Sequence, residues 1–249
     1  MKSKIFSRWL TLLIVVIHIL YNILYDIIVP NTSLKIITDK YRSLFVPAGY
    51  AFSIWGIIYI AILAYCVYQL LPSQKDKPFY DRINPPLMIS MFLGMVWGIV
   101  FRESMITLSM FVIFFSFLTA YVCLMRVHKS YKNGEHGLWI VFPFSIYAGW
   151  LTAATFASLS LWLVYLDWHG GMIGDVYWTI LLITAASLVG FAISFFYYDF
   201  FYALVIAWAD FAIYVQRKND SETTAIAALV YSVLFVFWSV FLMLQKKRK

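Results

Sequence analysis

Pro47-Ala-Gly-Tyr50-Ala-Phe52-Ser-Ile-Trp55-Gly-Ile-Ile-Tyr59, running on through apolar residues to Tyr68 and Gln69, decides how the chain is read. From Tyr50 to Leu71 there is no charge over about 22 positions, which at roughly 1.5 Å per residue crosses a hydrocarbon layer of about 30 Å. The stretch is therefore a membrane helix. Pro47 and Gly49 set the turn before it, and Tyr50, Phe52, Trp55 and Tyr59 crowd their rings into its first turns. An interfacial belt, with ring bodies in lipid and polar edges in water, accounts for Tyr50. Trp55 and Tyr59 lie roughly 7 and 13 Å further along a helix of that rise, deeper than a belt needs.

Composition leads to the same class. The chain is 63% hydrophobic and 12% charged with a mean hydropathy of +0.81, whereas soluble domains carry about 25% charged residues. Lipid is its solvent. Aromatic residues make up 20%, including 10 Trp, more than two interfacial belts would use. The net charge of +7 does not point to nucleic acid, because the cations gather at loop ends and at the two termini, as positive-inside topology dictates. Cys66 and Cys123 both fall inside apolar segments, with neither a metal-ligand spacing nor a disulfide framework, and read as small packing residues.

Seven further segments join the one that starts at Tyr50. The first, Trp9 to Val29, follows Lys2, Lys4 and Arg8; it is too long for a signal peptide and lacks a small-x-small cleavage site. His18, Asn22 and Asp26 recur every four residues along it, so one stripe is polar. His18 is a candidate for ligand contact, for proton handling or for an interhelical hydrogen bond, and Asp26 reads as an end residue. The connection from Pro30 to Val46 reads as a lid or a solvated loop, with a short interfacial turn open at Lys35 to Tyr41. A charged turn, Pro72 to Pro86, precedes a third segment over Pro86 to Phe101, with proline in its first turn. The fourth covers Ser104 to Met125, and a basic loop from Arg126 to Gly137 carries His128, Glu135 and His136. The fifth covers Leu138 to Tyr165 with Pro143 near its start.

Beyond a glycine-rich loop at Asp167 to Asp175 lie Val176 to Phe196, Phe200 to Val215 and Thr223 to Leu244. Only Tyr197-Tyr198-Asp199 separates the first two, so a single re-entrant unit is the alternative there. Asp210 stands inside the seventh segment and needs a partner. The expectation is an all-α, polytopic membrane helix bundle of about eight transmembrane helices. With both termini on the cytoplasmic side, 13 of the 19 Lys and Arg fall inside, and the charge bias selects that orientation. Trp55 and Trp97 then share a depth, with Trp150 nearer the middle.

Three stretches resemble the tryptophan-rich sensory protein, or translocator protein, family (TspO/MBR). Pro47, Trp55 and Tyr59 match its Pro-Pro-x-Trp-x-Phe-x-x-x-Trp-x-x-Leu-Tyr signature, with Ala48 at the second proline and Tyr50 and Phe52 one position late. Trp97 to Phe101 resembles the third-helix Asn-x-x-Trp-x-x-x-Phe, with Gly94 at the asparagine. Tyr147-Ala-Gly-Trp150 followed by Ala153 and Ala154 resembles the fifth-helix Tyr-x-x-Trp-x-x-x-Ala-Ala, and Ser158 falls where another asparagine stands. The resemblance implies a five-helix core over residues 1–165 and a three-helix extension over 166–249. It further implies a ligand site built from Tyr50, Trp55, Tyr59, Trp97, Tyr147, Trp150, Ala154 and Ser158, beneath the Pro30 to Val46 loop. Gly94 and Gly98 form a small-xxx-small pattern, open to packing within the chain or, as the family implies, to a homodimer through the third helix.

Aromatic walls with few polar groups suit a planar apolar guest with a polar edge. The resemblance implies tetrapyrroles, porphyrin or haem, and similar flat lipophiles, held by a receptor or carrier in a bacterial plasma membrane. Any iron would come with its ligand, since no resident cofactor, metal or catalytic residue is expected. No paired carboxylate or Ser-His arrangement marks an enzyme. An intramembrane enzyme acting on such a ligand is one alternative, and a proton-coupled transporter using His18 and Asp210 is another.

Overall fold

Backbone polar groups in lipid have no water to turn to, so apolar runs of this length must close their hydrogen bonds internally. They do so as helices. The computed structural model describes residues 2–29 and 34–246. It contains α1 (Lys2–Ile28), α2 (Leu34–Lys40), α3 (Ile54–Tyr68), α4 (Phe79–Arg102), α5 (Ile106–Lys132), α6 (Leu138–Tyr165), α7 (Gly174–Tyr197), α8 (Phe200–Arg217) and α9 (Glu222–Lys246). Among the described residues, all of these but the short α2 are long and apolar enough to cross a membrane, α3 doing so together with the turn Gly49–Ser53 before it, which gives eight candidate spans. The all-α polytopic membrane helix bundle expected from the sequence is thus what the chain forms. The side chain of Asp26, Pro30 and the closing Lys247, Arg248 and Lys249 lie outside the described residues.

The helices pack as two compact units, residues 1–33 with 54–148, and residues 34–53 with 149–249. α6 is one unbroken helix that contributes its first part to one unit and its remainder to the other.

In the first unit α4 starts at Phe79, a full two turns before the expected Pro86, so Pro85 and Pro86 lie inside the helix. A proline there leaves the carbonyl four residues back without its donor. The Arg82 carbonyl, orphaned by Pro86, is taken instead by the guanidinium of Arg126 on α5. α5 also runs further than expected, to Lys132 instead of Met125, and His128 is a buried helical residue rather than part of a solvated loop. The extra turns are held against α4, where Arg82 donates to Ser130 Oγ at 3.2 Å and pairs with Glu135.

α1 is anchored at its start by Arg8, only 3% exposed. Its guanidinium donates to the carbonyls of Gln69, Gln74, Lys75 and Lys77 at 2.8–3.2 Å and lies over the Tyr80 ring. Beneath it, Tyr65 Oη donates to Asn84 and Asn84 donates to Gln69. Further along, α1 lies on the small face of α4. A Cβ on Gly94 would come within 2.8 Å of His18 Cε1, and one on Gly98 within 2.9 Å of Tyr21. The small-xxx-small pattern therefore receives side chains from α1 of the same chain. Cys66 and Cys123 are free and buried.

In the second unit the long connection is neither bare loop nor lid alone. α2 occupies its middle, and residues 43–53 are fastened to α6 and α8. Ser43 Oγ is hydrogen-bonded to Ser160 Oγ at 2.5 Å, Ala48 N donates to Ala212 O at 3.0 Å, and Trp208 Nε1 donates to Ala51 O at 3.2 Å. Gly170, Gly171 and Gly174 all adopt positive φ in the loop before α7, where a Cβ on Gly170 would stand 2.4 Å from Gly174 O. α7 and α8 are separate helices. Tyr198 takes the left-handed conformation, Asp199 N bonds back to Ser194 O, and the Asp199 side chain caps α8 by accepting from Tyr202 N.

Candidate functional site

The family-like residues of the first unit meet on the inner sides of α1, α3, α4 and α6. Trp55 and Tyr59, one turn apart on α3, stack with ring centroids 5.3 Å apart and planes 27° from parallel. Tyr147 of α6 stands 6.3 Å from Trp55, and His18 of α1 meets Tyr59 edge-on at 5.5 Å. These side chains form one aromatic face. Trp97 takes no part in those ring contacts; it stacks on Phe101 of its own helix at 5.1 Å, and its buried Nε1 has no hydrogen-bond partner.

Hydrogen bonds fix this face from behind. Ser90 Oγ donates to Ser116 O at 2.9 Å and Ser116 Oγ donates to Ser90 O at 3.1 Å, so α4 and α5 are stitched reciprocally. Each hydroxyl has one proton, and both are then committed. The 2.8 Å bond between Tyr147 Oη and Ser90 Oγ must run from tyrosine to serine. A similar deduction orients His18. The Met91 carbonyl, 2.9 Å from Nδ1, can only accept, so the proton sits on Nδ1, and Nε2 is left to accept from Asn22 Nδ2 at 3.3 Å. His18 thus makes an interhelical hydrogen bond as well as the ring contact with Tyr59. What the face presents is ring surface, with the hydroxyl of Tyr147 already engaged behind it.

The remaining expected residues belong to the second unit. Trp150 is buried and is met edge-on by Phe52 at 5.7 Å. Tyr50, 41% exposed, packs instead against Trp208 at 5.2 Å. Its displacement has a local cause: Gly49–Ser53 is a 3-10 turn, not the first turn of α3, and the tighter winding changes which rings point inward. Ala154 is half-buried and Ser158 is buried. Thr152 is hydrogen-bonded to Tyr202 of α8.

Ser90 and Ser116 were not foreseen. Mid-span serines carry little signal, because many return their proton to the preceding turn, as Ser109, Ser145 and Ser194 do. Among the described residues, no group of three or more His, Cys, Asp or Glu is placed to hold a metal ion.

The pattern of spans and aromatic motifs is matched by a family model, that of TSPO-like protein, over residues 8–241. The chain belongs to this family. The match runs well past residue 165, where the recognisable motifs stop, and takes in α7, α8 and nearly all of α9. No curated protein and no solved structure gives a significant match. The TSPO-like chain, with its eight apolar helices, is an integral membrane protein of the TspO type.

Proposed function

We propose that this TSPO-like protein is a membrane receptor or carrier for flat lipophilic molecules, tetrapyrroles such as porphyrin or haem first among them. The site is the face formed by Trp55, Tyr59 and Tyr147. The observation that carries the reading is the stack of Trp55 on Tyr59 with Tyr147 alongside, held in place by Ser90 and His18. Parallel ring surface favours a planar guest, and pre-set side chains lose little entropy when it binds. The protein sits in a plasma membrane with both termini cytoplasmic, which the bias of its cations supports.

Titrating the purified chain with protoporphyrin IX while following tryptophan fluorescence tests this. Saturable quenching is expected, weakened about tenfold in Trp55→Ala, the size of one lost stacking contact. Unchanged binding in Trp55→Ala and Tyr147→Phe together would overturn the assignment.

A further inference from the structure

Where α1 and α4 begin, the first unit holds a polar pocket of about 180 Å³. Its lining mixes three cations, Arg8, Lys75 and Lys77, with two carboxylates, Asp76 and Asp81, and the apolar Ile5. The two spans start at Ile5 and at Phe79, so the pocket lies at the level where hydrocarbon gives way to headgroups.

Arg8, buried, is the fixed element of this pocket. Its two terminal nitrogens are spent on the carbonyls of Gln69, Gln74, Lys75 and Lys77, while its Nε is buried and closes no hydrogen bond. Carbonyls occupy donors but bring no countercharge, and among the described residues no carboxylate stands within ion-pair distance of this guanidinium. A buried cation without a countercharge is costly, and an anion in the pocket relieves it. α4 adds the same sign, because its N-terminus meets the pocket at Pro78 and has no side-chain cap. Arg8 also pins the backbone of the turn that carries the exposed side chains of Lys75, Asp76 and Lys77. A pinned turn loses little entropy on binding. A simple anion would face two carboxylates here, whereas a zwitterion is matched at both ends. From Ile5 an exposed apolar stripe continues along α1 through Trp9, Leu13 and Ile17, every fourth residue. A pocket for a charged head thus opens onto a track for an acyl chain.

We propose that this pocket binds the headgroup of an aminophospholipid, a phosphodiester that carries a primary ammonium. The phosphate is drawn by Arg8, Lys75 and Lys77, the ammonium by Asp76 and Asp81, and one acyl chain lies along the α1 stripe. The site is separate from the porphyrin face and does not depend on it.

Native mass spectrometry of the full chain, stripped of lipid in detergent, tests this with three lipids that share dioleoyl chains. Phosphatidylethanolamine is expected to bind about fivefold tighter than phosphatidylcholine, whose nitrogen has no N–H to donate, the worth of one exposed charge-assisted hydrogen bond. Phosphatidylglycerol, which has the phosphate without the ammonium, should fall behind by a similar factor. Asp76→Asn changes an exposed side chain and should fold; it is expected to bring the first two lipids to within about twofold of each other. Lys75→Gln with Lys77→Gln leaves the carbonyls that Arg8 holds and should weaken all three lipids about tenfold. Soluble phosphoethanolamine, the same head without chains, should not compete at the concentration at which the lipid saturates. Competition there would make the occupant a water-soluble phosphate ester and overturn the lipid assignment. Tightest binding of phosphatidylglycerol, equal binding of the ethanolamine and choline lipids, or a preference that survives Asp76→Asn would each overturn the proposal as well.

Discussion

The aromatic face of the first unit and the Ser187–Asp210 contact of the second solve the same problem, polar atoms in lipid, on different scales. Around the face, the tyrosine hydroxyl, both serines and the imidazole are matched to one another or to a carbonyl. In the second unit the buried Asp210 carboxyl on α8 takes its hydrogen bond from the buried Ser187 hydroxyl on α7. A closed network fixes geometry, so recognition on the face rests on shape and stacking. A single buried pair ties two helices at one point and leaves the packing around it to apolar contacts.

The contrast can be broken first at the end of the bundle where the closed arrangement is most heavily invested. Arg8→Ala would strip donors from four carbonyls at once and leave the Tyr80 ring uncovered. A loss of about 3 kcal/mol or more is expected in detergent unfolding, and a loss below half of that would mean the carbonyls find water instead. Ser90→Ala sharpens the comparison at the face. It removes the acceptor of Tyr147 and one half of the reciprocal pair with Ser116, at a cost of about 1–2 kcal/mol, with porphyrin affinity falling as Tyr147 loosens. Ser187→Ala should cost about 1 kcal/mol, the loss of the one hydrogen bond that the buried Asp210 carboxyl takes from α7. A cost for Ser187→Ala well above that for Ser90→Ala, measured side by side, would mean that the single pair matters more than the network.

The spans were legible because lipid imposes a length and an apolar composition that few other environments demand. Their ends were less so. α4 starts before its prolines, and α5 continues to Lys132, because Arg126 and Ser130 reach partners on a neighbouring helix, and such contacts leave no periodic trace in sequence. Trp55, Tyr59 and Tyr147 were readable from their motif spacing and do come together. The spacing around Tyr50 suggests an α-helix, whereas the 3-10 turn at Gly49–Ser53 directs Tyr50 to Trp208, with Phe52 meeting Trp150 instead. Asp210 was visible as an anomaly in an apolar run. Its neighbour Ser187 was not, since it is one serine among several and lies on another helix.

Because the guanidinium of Arg126 occupies the carbonyl that Pro86 leaves without a donor, the two positions are bound in a single bargain across forty residues of chain. Descendants that replace the arginine with an uncharged side chain should tend to shed the proline as well. An aligned set of relatives in which the pair drifts independently would show that water, or some other cation, can serve in its stead.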